Sequence, residues 1–117
     1  MYFRRVAEKK IKRDILSLNQ SEKAVLREFY LKGQFSLELP YEDSTVVGLI
    51  SKRILFSTSP FNDTILISGN NSTFKIGDRT RELIMPWNLD YPQEGAPQEE
   101  VDKIMSLRPH WVKTSYY

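Results

Sequence analysis

Three acidic residues crowd one short stretch: Glu38, Glu42 and Asp43. Carboxylates that close together can hold a hard cation, or divide the work of general acid and general base. Neither use fits their setting. The calcium-loop spacing is absent, and strand alternation turns Glu38 outward beside a turn, which makes a solvated acidic rim. The single histidine, His110, follows Pro109, and a lone imidazole lacks the second ligand or orienting carboxylate that a site needs. With no cysteine in the chain, thiolate nucleophiles, disulfides and cysteine-bound zinc or iron-sulfur clusters drop out together. No glycine-rich phosphate loop and no nucleophile motif is present. The residue types therefore argue against an enzyme, and neither cofactor nor metal is expected.

Residue types suited to binding are better represented. Arg4, Arg5, Lys9, Lys10, Lys12 and Arg13 gather near the start against only Glu8 and Asp14. Such a helix can lie on an anionic membrane surface, where each cation contributes about 1 kcal/mol; equally, it can dock its apolar stripe on the domain or on a second copy. Trp87, Tyr91, Trp111, Tyr116 and Tyr117 form a late aromatic group, which can serve as a protein-recognition surface because rings give large contact area at small entropic cost, or can pack on the core. A DNA reading rests on Ser51, Lys52 and Arg53, with Ser44 and Thr45, on one helix; phosphate contacts dominate DNA affinity, and few cations are available for them. Asn62-Asp-Thr64, Asn70-Asn-Ser72 and Asn71-Ser-Thr73 match glycosylation acceptors, but no secretory signal accompanies them, so they read as turn residues.

The elements that must position these groups follow from periodicity. Phe3, Ala7, Ile11, Ile15 and Leu18 mark one side of a first helix. Asn19 and Glu22 have capping-box spacing, opening a second helix whose Val25, Leu26, Phe29 and Tyr30 share a face and which Gly33 ends. Phe35, Leu37 and Leu39 alternate with Gln34, Ser36 and Glu38 as in a half-buried strand stopped by Pro40. Asp43 or Ser44 caps a third helix, with Val46, Val47, Leu49 and Ile50 expected inward. Ile54, Leu55 and Phe56 read as a strand. Segments 64–68 and 73–76 flank a loop of residues that tolerate positive φ, predicting a β-hairpin. Asp78 is expected to cap a short helix reaching Met85, with Leu83 and Ile84 returning to the core. Residues 86–97, with Pro86, Pro92, Pro97 and Gly95, read as an irregular strap that Trp87, Leu89 and Tyr91 pin down. A last helix starts at Pro97, aligns Val101, Ile104 and Met105, and stops at Pro109.

The totals agree with one modest core. The chain has 117 residues, 40% hydrophobic and 27% charged, the composition of an ordinary globular protein that buries roughly two thirds of its unfolded surface. Its longest aliphatic run, 46–50, falls far short of the roughly 20 residues a bilayer crossing needs. No apolar stretch of signal-peptide length follows Met1, so the chain is expected to begin there. The expected class is α+β: a basic amphipathic helix over 1–17, a small winged-helix-like domain with a β-hairpin over 18–86, and a strap and C-terminal helix over 87–117.

The stretch Leu18-Asn-Gln-Ser-Glu-Lys-Ala-Val-Leu-Arg-Glu-Phe29, with Val46-Val-Gly-Leu-Ile-Ser-Lys-Arg-Ile-Leu55 and Phe74-Lys-Ile76, resembles the soluble cytoplasmic region of the superinfection exclusion protein B family. The resemblance implies a role in helping a resident prophage block a second phage. It also implies a domain of the kind that follows membrane-spanning helices, hence a cytoplasmic location at the inner face of the membrane. It brings no catalytic residues. The expectation is a noncatalytic module that binds a protein partner, with peripheral membrane association and homo-oligomerisation as further possibilities and a small winged-helix-like DNA-binding regulator as the alternative.

Overall fold

The computed structural model describes residues 2–58 and 71–112, without the side chains of 2–5 and 71. Its first helix, α1 (Tyr2–Leu16), buries Ile15 and part of Ile11, with Leu18 buried just beyond its end, while Ala7 of the expected stripe is exposed. The side chain of Phe3 lies outside the described set. Asn19 and Glu22 form the expected capping box, which opens α2 (Gln20–Leu31). Its end is a Schellman motif: the amides of Gly33 and Gln34 donate to the carbonyls of Tyr30 and Phe29, with Gly33 at φ 61°, a conformation that costs glycine nothing.

Strand β1 (Ser36–Pro40) buries Leu37 and Leu39 and exposes Glu38. Phe35 departs from the expected pattern. It precedes the strand and is 73% exposed, with the Arg81 guanidinium 4.2 Å from its ring centroid. Helix α3 (Ser44–Ser51) is capped by Asp43, whose carboxylate accepts from the amides of Thr45 and Val46. It buries Val46 and Leu49, while Val47 and Ile50, expected inward, are exposed. Each lies one residue further round the helix, about 100° from the buried line. A helix packed along one narrow side has no room for both pairs.

Strands β2 (Leu55–Ser57) and β3 (Asn71–Ile76) complete an antiparallel sheet in the order β1-β3-β2. Leu37 faces Phe74 across one pair, and Leu55 faces Ile76 across the other. Of the expected hairpin, segment 64–68 lies outside the described residues. The remaining elements are α4 (Asp78–Leu83), a 3₁₀ turn (Pro86–Leu89) and α5 (Gln98–Ser106). Asp78 is the first residue of α4 and not its cap; Gly77 holds that position without a side-chain bond. The helix stops at Leu83, short of Met85, as Ile84 turns extended and buries its side chain. Part of the expected irregular strap is thus the ordered 3₁₀ turn. Its anchor is Leu89, 1% exposed, whereas Trp87 is 66% exposed and pins nothing.

The class is α+β, as expected, with one helix between β1 and β2. The core gathers Leu26 and Phe29 of α2, Leu39 of β1, Val46 and Leu49 of α3, and Leu55 and Ile76 of the sheet. Helix α1 packs against α4, and the 3₁₀ turn packs against α2.

Candidate functional site

Helix α2 carries more than the apolar face its sequence announces. Arg27 is 1% exposed and Glu28 is 0% exposed. A buried charge is costly unless paired, and Glu28 is paired: Arg108 Nε donates to Oε2 at 2.8 Å and Nη2 to Oε1 at 2.7 Å. This two-pronged contact draws the chain beyond α5 back onto α2, where Trp111 packs on the core. Arg27 Nη1 donates to the Leu89 carbonyl at 2.8 Å, tying α2 to the 3₁₀ turn. Its Nε and Nη2 have no hydrogen-bond partner among the described residues. Burial holds the Arg27 guanidinium pKa below its usual value, with Asp90 and then Glu28 opposing the shift.

Arg27 forms part of the wall of a cavity of about 650 Å³, with Trp87 and Tyr91 from the segment after α4 and Ile104 and Leu107 from α5 and its end. Asp90, Glu94, Glu100 and Lys103 contribute charges to the same wall. This volume falls within the range of about 300–1,000 Å³ typical of ligand pockets. The arrangement is a half-apolar recess with aromatic rings, mixed charge and one deeply set guanidinium, which suits recognition.

The structure separates the residues grouped by the sequence. Trp87 and Tyr91 meet at the cavity, whereas Trp111 lines a smaller space of about 180 Å³ beside His110. Tyr116 and Tyr117 lie outside the described residues. On α1, Lys9, Lys12 and Arg13 are exposed together with Val6 and Leu16; Lys10 is exposed but bonds Asp14 at 2.8 Å. Arg4 and Arg5 belong to α1, and their side chains are outside the described set.

The DNA set is partly engaged elsewhere. Lys52 Nζ holds the buried Glu22 carboxylate at 2.8 Å. Arg53 has φ 62° and closes a Schellman motif at the end of α3, where its amide donates to Ile50 and that of Ile54 to Leu49. Ser44 and Ser51 are exposed at opposite ends of α3, and Thr45 is partly buried in its first turn. Of the acidic rim, Asp43 is the cap of α3, and Glu38 and Glu42 are exposed. Among the described residues no three histidine, aspartate or glutamate side chains group as metal ligands, and no helix is long and apolar enough to cross a membrane.

Sequence reasoning missed Arg27, Glu28, Arg108 and the Leu89 carbonyl. Their partners stand 62 and 80 residues away, beyond the reach of any helical period. The prolines after Met85 gave the one usable signal, since a strap without a core of its own must lie on something.

Comparison with known proteins then supplies a lineage. No curated protein and no solved structure matches the chain. The sequence model of the family described as Super-infection exclusion protein B matches residues 2–89. That span takes in α1 through the 3₁₀ turn and covers more than half of the chain, so the protein belongs to the Super-infection exclusion protein B family.

Proposed function

We propose that this chain serves phage superinfection exclusion as a noncatalytic module that binds a protein partner through the surface around Trp87 and Tyr91. The observation that carries the reading is the 66% exposure of Trp87 on the wall of the large cavity. A tryptophan left in water beside a half-apolar recess is the residue type that most often anchors a protein interface. Family membership supplies the biological setting. The DNA alternative is the weaker reading, because Lys52 is engaged with Glu22 and exposed Arg53 then has few cations beside it for phosphate contacts.

The test is plating efficiency of a second phage on cells making the parent chain or the Trp87→Ala, Tyr91→Ala double variant. The reading expects at least a tenfold recovery of plaques with the variant, at equal protein level and equal melting temperature. Undiminished exclusion would remove the surface from the mechanism.

The basic helix favours a cytoplasmic location against the inner membrane face. Lys9, Lys12 and Arg13 share the outer side of α1 with Val6 and Leu16, a pairing of cations and apolar groups suited to an anionic lipid surface.

A further inference from the structure

The unpartnered edge of Arg27 has a specific shape. In a guanidinium, the Nε–H and the neighbouring Nη2–H point in parallel, spaced to meet the two oxygens of one carboxylate. One residue further along α2, Glu28 receives this same edge from Arg108, by Nε to Oε2 and Nη2 to Oε1. The protein therefore shows the contact in its filled form beside a second fork, that of Arg27, which meets no acceptor among the described residues. Leaving buried donors unpaired costs about 1–3 kcal/mol, and more for a charged group, so an acceptor oxygen brought to this edge recovers a cost already carried by the fold.

The wall around it narrows the ligand chemistry. Asp90, Glu94 and Glu100 face the same cavity against Lys103 and Arg27, which disfavours phosphates and other multiply charged anions. A single carboxylate with apolar neighbours fits better, since Trp87, Tyr91, Ile104 and Leu107 offer rings and aliphatic surface beside the guanidinium. The two nitrogens are covered in this conformation, so their engagement requires a rotamer change at the wall.

We infer that this cavity receives an aspartate or glutamate side chain of a protein partner, its carboxylate gripped by Arg27 Nε and Nη2 and its apolar neighbours laid against Trp87, Tyr91 and Ile104. The inference rests on the reading of the chain as a protein-binding module and names the chemistry of the group it binds.

The full ¹⁵N-labelled chain is titrated with acetyl-Leu-Glu-Leu-amide while the Arg27 Nε–H and Trp87 indole signals are followed. Saturable movement of both is expected. The Gln counterpart should bind at least tenfold more weakly, and Arg27→Lys should abolish the response. Trp87→Ala, at an exposed position that leaves the fold intact, should weaken peptide binding several-fold without a change in melting temperature, which keeps the idea testable should Arg27→Lys unfold the chain. Equal response to the Glu and Gln peptides, or none, overturns the inference. Acetate that saturates the Arg27 signal at the same concentration as the peptide overturns the partner assignment in favour of a small free acid. A cellular partner retained by Trp87→Ala and Arg27→Lys sinks this site while leaving the protein-binding reading standing, whereas exclusion that needs no protein contact sinks that reading.

Discussion

Arg108 grips Glu28 across 80 residues of chain, with 6% and 0% side-chain exposure at the two ends. Removing one partner strands the other charge in the interior. Arg108→Met should therefore cost about 3–5 kcal/mol, whereas the Glu28→Leu, Arg108→Met pair should recover most of that loss, because apolar residues of similar volume often replace a buried ion pair without penalty. Urea unfolding of the parent, the two single variants Glu28→Leu and Arg108→Met, and the double variant closes the cycle. A loss below about 1 kcal/mol for Arg108→Met would show that the contact does not persist in solution.

The left-handed Arg53 should be improvable. A side chain at that backbone conformation costs roughly 1–2 kcal/mol, partly offset for glycine by its greater unfolded freedom. Arg53→Gly should stabilise the chain by about 1 kcal/mol and raise its melting temperature by about 4 °C. Arg53→Val, with a branched residue in the same place, should lower it. Calorimetry on both distinguishes a structural position from a functional one.

Alkaline stability should report on Tyr30. Burial raises its hydroxyl pKa above the usual 10.0, with Arg81 pulling the other way. A folded pKa above the unfolded one gives stability that is fully present below about pH 10 and is lost as pH rises through the folded value. Tyr30→Phe should therefore lose less stability than the parent as pH rises above about 10. Parallel curves would mean that the ring is as well hydrated in the folded chain as in the unfolded one.

The outer side of α1 can be tested separately from the cavity. Lys9→Glu, Lys12→Glu, Arg13→Glu should lower binding to vesicles containing anionic lipid by at least tenfold, since each cation near such a surface is worth about 1 kcal/mol. Added salt should weaken the parent in the same direction. Partitioning that ignores both changes would detach α1 from lipid.

Helix starts, stops and the inward strand positions were readable because each depends on neighbours within one turn. Asn19 with Glu22, Gly33, Asp43, and Leu37 with Leu39 all sit as their local pattern requires. At α4 and on the outer side of α3 the local pattern itself misled, while elsewhere a distant residue had intervened. Phe35 alternates correctly for a buried residue, yet its ring is exposed beside Arg81 of α4. Arg27 and Glu28 look solvent-facing on a helical wheel, yet the 3₁₀ turn and the residues after α5 close over them. Two rings of the cavity wall, Trp87 and Tyr91, were singled out from the sequence; its guanidinium was hidden by the expectation that charge faces water.

The grip of Arg108 has a practical corollary for anyone shortening this polypeptide. The family match ends at residue 89, but Glu28 takes its partner from Arg108, beyond that border. A fragment cut at the homology border would expose a naked acid on its central helix and would invite proteolysis, so deletion series should keep residues through 112.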